Sequence, residues 1–526
     1  MKLRITILAC AAGILLGSCA PRHPEDVQQI DSLRTEAEAL VRAQALMGYE
    51  AWALGKPSNQ DSLYREHGSL FTLENIALAR RTEEVEEDPV QKKRFTYFRR
   101  YLTSEFLARH TAPLTDQIAN VEATATVLVN GTSVPYREVA RMISNERIQA
   151  KRAALYGAND SVLDSLNIIF ARIGEENKRS ASELGYASYT AMVEDLRGYS
   201  ITSMRPMAEE VLASTDSLYL DLLNEMLASE LKLSPQSFHR FDVTPLFRNR
   251  KFDRYFPPSS MMPVVTAAYK GLGVDLTSQR NLTIDAEDRP EKNPRAVCFP
   301  IRVPDDIRLS IKPIGGVDDY NALFHEMGHA QHYANTREHA FEFKYTGEPT
   351  VTETFAFLSE YLLANQAWLR MHSKMPTPVL KEYARMAAFQ RLLMVRRYCA
   401  KILYELDLHG GSDNAPSLYA QIQSRAIGYV PVPSDEKRYL ADVDPLFYAA
   451  GYVRAWFLEA QLNGKLTKDF GTNWFENPAA GNLIRTLWHN GDRLNGEEFA
   501  AALGLGAIRP EPWLDEMKAL VLFSTR

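Results

Sequence analysis

Residues 325–329 read His-Glu-Met-Gly-His. Histidines four positions apart on a helix lie on one face, about one turn from each other. Neutral imidazole is a good ligand for zinc. Glu326 stands next to the first histidine, within reach of water at such an ion, so this short segment joins two metal ligands to a general base. A catalytic zinc site takes a third protein ligand and leaves one position open. The downstream candidates are His332, Glu338, His339, Glu342, Glu348, Glu353 and Glu360. The form of the motif with a third histidine carries a glycine and then that histidine at fixed spacing. His332 and Asn335 occupy those two positions here, so that form does not apply. Glu353 is better placed. Gly347 and Pro349 close a loop, Thr350 can cap a helix over 351–363, and Glu353 projects from its first turn. Glu360, seven positions on, shares that face and is placed to accept the second ring N–H of a ligating histidine. The alternative for Glu360 is an ordinary exposed carboxylate. Glu348 is the alternative third ligand. His332 reads as a packed or hydrogen-bonded histidine.

The elements that must carry these residues are mostly helical. Asp318-Asp319 can start the helix of the His-Glu segment, and Tyr320, Leu323, Phe324 and Met327 give it an apolar side. Apolar residues at helical spacing predict further helices over 31–53, 161–184, 203–231 and 377–404. One segment differs. Ile307, Leu309 and Ile311 alternate with polar residues, which predicts a strand over 305–312, ended by Pro313 and Gly315-Gly316. Lying just before the His-Glu segment, it either offers an exposed edge to an extended substrate by backbone hydrogen bonds or forms a structural hairpin. The expected class is all-α with a small β element near the active site.

Composition narrows the partners. The chain of 526 residues is 45% hydrophobic, enough for a large core, and its 60 Lys+Arg against 66 Asp+Glu give a net charge of -6. That balance argues against nucleic acid, whose binding wants a basic surface. Met1 to Arg4 is a short basic start, and Ile5 to Leu16 is apolar but too short for a membrane span. Leu16-Gly17-Ser18-Cys19 resembles a bacterial lipobox, with Cys19 as the lipid-bearing residue; the alternative is a plain secretory signal. The expected organisation is a signal peptide over 1–18, a lipidated tether over 19–30 and one helical domain over 31–526. An exported lipoprotein of the cell envelope, on the periplasmic face or the cell surface, is expected, anchored to the membrane only through its N-terminus. Outside the signal, only Cys298 and Cys399 remain, read as two separate buried thiols although the compartment permits a disulfide.

Phe324 to His332, with Glu353 24 positions after His329 and then Glu360, resembles the gluzincin oligopeptidases: the thimet oligopeptidase family and the related angiotensin-converting enzyme family. Weaker matches are Glu183-Leu184-Gly185-Tyr186-Ala187-Ser188-Tyr189, like the family's helix end before the cleft, and the stretch Asp444 to Leu462. The resemblance implies a two-lobed helical fold around a deep cleft, one zinc ion per chain on its floor, and short peptides as substrates. A monomer is expected. It also implies a histidine and then two tyrosines three apart that bind the substrate carbonyl. Here the pattern departs: Tyr452 fits one tyrosine, Ala455 stands three later, and no histidine lies between Arg438 and Tyr452. Tyr448 supplies the missing hydroxyl if the local backbone is shifted; otherwise both tyrosines serve packing. The expected reaction is hydrolysis, with zinc held by His325, His329 and Glu353, Glu326 as base, and Tyr452 or Tyr448 donating to the oxyanion. Two alternatives stand beside it. One is a carboxypeptidase or dipeptidyl carboxypeptidase, with Arg289, Lys292, Lys437 or Arg438 holding the substrate carboxylate. The other is a peptide-binding lipoprotein without turnover.

Overall fold

The computed structural model describes residues 24–248 and 250–525. The expected signal segment 1–18 and the expected lipidation site Cys19 lie outside them. The first helix, Pro24–Leu54, starts inside the segment expected as a tether. Proline suits a helix start, and Glu25 and Asp26 complement the positive end of the helix dipole. Ile30, Ala37 and Leu40 are fully buried along one stripe, so residues 24–30 belong to the folded body.

The architecture is all-α with a small β element. The helix expected over 161–184 spans Asp160–Glu183. The one expected over 203–231 runs Met204–Met226 and finishes in a π-helical turn, Leu227–Leu231. The helix expected to end at 404 continues to His409, where Gly410 and Gly411 stop it. This long helix, Thr377–His409, is buried on nearly every side because it packs between Met204–Met226, Ala415–Ile427, Tyr448–Phe470 and Glu511–Thr525. Arg396 in its interior is 1% exposed and satisfied by Ala426 O, Leu212 O and Thr215 Oγ1, each at 2.7 Å, and by Asp216 Oδ1 at 2.6 Å.

The predicted strand is present as Asp306–Ser310, but in the middle of a three-stranded sheet. It pairs parallel with Leu282–Asp285 and antiparallel with Val297–Arg302. Both its edges are therefore taken, which leaves the structural one of the two alternatives for this strand and, in place of a simple hairpin, the centre of a sheet. Val297–Arg302 is an edge strand, as its Pro300 requires, since proline cannot donate to a ladder. A separate hairpin pairs Thr126–Val129 with Thr132–Pro135.

One connected apolar core reaches from Ile30 to Leu520. A satellite cluster around Val127, Val139, Leu166 and Phe241 sits beside it. The two lobes implied by the resemblance are thus not marked by two equal cores.

Candidate metal centre

The His-Glu helix spans Val317–Ala334. Asp319 fixes its start, with Oδ2 accepting from the N–H groups of Ile314 and Gly315, both at 2.8 Å. Leu323, Phe324, Met327 and Ala330 are fully buried and turn His325, Glu326 and His329 the other way, where they are only partly buried. The helix Thr350–Glu360 lies against it. Gly328 permits the close approach: a Cβ there would stand 2.5 Å from Phe355 O and 2.6 Å from Ala356 Cα. The second helix begins at Thr350 rather than being capped by it. Pro349 holds the cap position, and the Thr350 N–H and hydroxyl both go to Glu348 Oε1. It ends at Glu360 in a 3-10 turn, Tyr361–Ala364.

Three side chains converge. Glu353 Oε2 lies 3.4 Å from His325 Nε2 and 3.6 Å from His329 Nε2. One ligand atom from each of these residues lies within 4.8 Å of the others, the sole such group of three or more among the described residues. The outer ring nitrogens are engaged elsewhere. His325 Nδ1 donates to Glu360 Oε2 at 3.0 Å, and His329 Nδ1 lies 2.9 Å from Thr352 Oγ1. Such outer contacts fix the ring orientation and leave Nε2 for a metal. Glu353 Oε2 is buried without a hydrogen-bond partner, a costly state for a carboxylate unless a cation completes it. The donor set therefore fits a metal ion.

Around this group the charges are strongly perturbed. Burial pulls His325 down, but the carboxylates of Glu353 and Glu360 outweigh it and hold the imidazole well above its ordinary value. His329, buried with only Glu353 opposing, falls to about 4. Burial, reinforced by the Glu353 charge, lifts Glu326 to about 7 against the pull of His325 and the Cys298 N–H. That N–H, on the edge strand, donates to Glu326 Oε2 at 2.8 Å. Tyr448 OH donates to Glu353 Oε1 at 3.2 Å and lies 3.3 Å from Tyr452 OH.

A cavity of about 520 Å³ opens on His325, Glu326, Glu360 and Tyr452. A second, of about 250 Å³, shares His325, Glu360 and Tyr452 and extends to Tyr383, Met394 and Trp456. Arg248 and Arg295 line the larger one. The basic residues singled out from the sequence are occupied elsewhere: Arg289 and Lys292 on Asp285, Lys437 on Asp164 at 2.7 Å, and Arg438 on Tyr156 OH at 2.7 Å.

Of the other carboxylates considered as third ligand, Glu360 meets only the outer nitrogen of His325, and Glu338, Glu342 and Glu348 are outside the group of three. Glu342 is fully buried in ion pairs with Arg34 and Arg94, and Glu338 pairs with Arg493 at 3.2 Å. His332 is fully buried, with Nε2 3.1 Å from Gly491 O, so it packs rather than ligates. Sequence reasoning missed Thr352 and the Cys298 amide. Thr352 had one available signal, a hydroxyl next to the third ligand on the first turn of its helix. The amide had none, because any residue supplies one. The chain matches no protein-family model and no curated protein.

Proposed function

We propose that this chain is a zinc-dependent peptidase acting on short peptides. The observation that carries the reading is the convergence of His325 Nε2, His329 Nε2 and the unpartnered Glu353 Oε2 beside a cavity that also exposes Glu326. Two imidazoles and a carboxylate suit one zinc ion with a position left open, and zinc so held supplies Lewis-acid polarisation of a peptide carbonyl and of water. Glu326 takes a proton from the attacking water and delivers it to the leaving amine. The Cys298 N–H holds Oε2 of that carboxylate, which leaves the other oxygen for proton transfer. Burial raises both Tyr448 and Tyr452 well above the ordinary phenol value. They stay protonated and can donate to the oxyanion that forms on the carbonyl. The outer edge of Val297–Arg302 adjoins Glu326 and suits an extended peptide held by backbone hydrogen bonds.

Cys19 is the proposed lipid anchor of an exported envelope protein, and the folded chain the proposed monomeric enzyme. Among the described residues no helix is long and apolar enough to cross a membrane. Arg248 and Arg295, lining the cavity, favour a second reading in which the substrate's C-terminal carboxylate is held and the enzyme acts as an exopeptidase.

The test is digestion of a mixed peptide library, including C-terminally amidated members, with products read by mass spectrometry with and without a chelator. Chelator-sensitive cleavage restored by zinc is expected. Cleavage of free but not amidated peptides selects the exopeptidase reading. Stoichiometric zinc with no cleavage overturns the enzyme reading in favour of a peptide-binding lipoprotein.

A further inference from the structure

The chain enters the Tyr448–Phe470 helix through two successive residues with left-handed backbone, Leu446 (φ 53°, ψ 37°) and Phe447 (φ 49°, ψ 46°). Bulky residues occupy that region only where surrounding contacts hold them there. The contacts come from the two ends of one short helix, Tyr189–Arg197, which is capped by Ser188 and closed by Gly198 at φ 77°. The hydroxyl of Tyr189 accepts from Leu446 N–H at 3.1 Å. Arg197 sends both Nε, at 3.0 Å, and Nη2, at 2.9 Å, to the Leu446 carbonyl. Phe447 is fully buried, its ring centroid 6.3 Å from that of Tyr189 and 5.2 Å from that of His409. The short helix is itself fixed by Asp195, gripped by two Arg99 nitrogens at 2.6 and 3.1 Å.

We infer that Arg197 and Tyr189 are positioning residues that clamp the 446–447 turn and so set where Tyr448 presents its hydroxyl to Glu353. The inference rests on the proposed metal site. Tyr448 follows the turn directly, so relaxation of either left-handed residue rotates the first turn of its helix and withdraws the hydroxyl. Tyr452, one turn further in and packed against Tyr398 and Trp456, keeps its place. The clamp also gives a role to the segment Glu183 to Tyr189. It supplies the backbone shift by which a tyrosine four positions before Tyr452 reaches the metal group.

The test is a double-mutant cycle on Arg197→Gln and Tyr448→Phe. Zinc affinity is read by competition with a chromogenic chelator, and kcat and KM on a cleavable peptide. Arg197→Gln is expected to weaken zinc binding about tenfold, as losses outside the ligand set do. It should lower kcat by about tenfold or more with KM little changed. Arg197→Lys recovers part of both, and in the Tyr448→Phe background the Arg197 change has no further effect. Losses that add in full, or an unchanged zinc affinity in Arg197→Gln, overturn the clamp. Should Arg197→Gln not fold, Arg197→Lys takes its place in the cycle, with smaller losses that again vanish beside Tyr448→Phe. A wild type that binds zinc and cleaves nothing overturns the peptidase reading, while the zinc arm still decides the clamp.

Discussion

At the scale of single residues, the candidate metal group divides its labour between atoms that point inward and atoms that hold them. Glu326→Gln keeps the size and the Cys298 N–H contact but removes the proton acceptor. It is expected to retain metal, measured by elemental analysis, while hydrolysis falls by about a hundredfold or more. Thr352 tests the holding atoms. Thr352→Val deletes the hydroxyl 2.9 Å from His329 Nδ1 and nearly preserves shape. Metal affinity should drop about tenfold, read by competition titration, with little change in melting temperature. His325, His329, Glu353 and Glu360 were legible in the sequence because helical periodicity alone puts each pair on one face. The relation between the pairs was legible through the loop signals at Gly347 and Pro349 and through the 24-position spacing that carries the resemblance. Thr352 and the Cys298 amide depend on how separate elements meet, which no local pattern encodes.

At the scale of elements, the site is the contact between two helices, and its spacing is set at Gly328. An added methyl would meet backbone atoms of Phe355 and Ala356, which cannot swing aside as a side chain does. Gly328→Ala is expected to cost about 1–3 kcal/mol, as overpacking does. It should also weaken metal binding by parting His329 from Glu353, with both effects read from one series of melts with and without zinc. The strand before the site was readable from its alternation, but its central place was not. Its partners carry weak signals: Leu282–Asp285 is four residues long, and Val297–Arg302 is interrupted by Pro300. That proline does mark an edge strand, and the edge with no further strand paired to it belongs to its strand. The first helix was underestimated at its start because Pro24, Glu25 and Asp26 read equally well as a polar tether and as a helix beginning.

At the scale of the whole molecule, a connected core ties the amino-terminal helix to the carboxyl-terminal one, so the supports of the metal helix come from distant parts of the chain. Gly491 O meets His332, and Asp492 Oδ2 accepts from Gly347 N at 3.3 Å, bracing the His-Glu helix and the loop that leads into Thr350–Glu360. Burial, with the Glu348 charge adding to it, pushes Asp492 up to about 7. The folded protein thus keeps a proton on Asp492 that the unfolded chain releases near pH 4. The stability this contributes is present in full below about pH 4 and is lost as pH rises through about 7. Asp492→Asn removes that loss. Its melting temperature is expected to exceed that of the wild type by about 2 °C near pH 8, with no such gain near pH 4, by calorimetry. The same core encloses Cys399, and Cys298 packs half-buried against it. Cys298, beside Glu326, is held well above the ordinary thiol value by burial and by that carboxylate, and Cys399, fully buried, is pushed up to about 12. Both are free. Both shifts disfavour the thiolate that oxidants and electrophiles attack. A thiol reagent should therefore leave Cys399 untouched and modify Cys298 only slowly in the native protein, and find both quickly after denaturation. The strand that steadies the candidate base thus carries a sulfur held in its least reactive form.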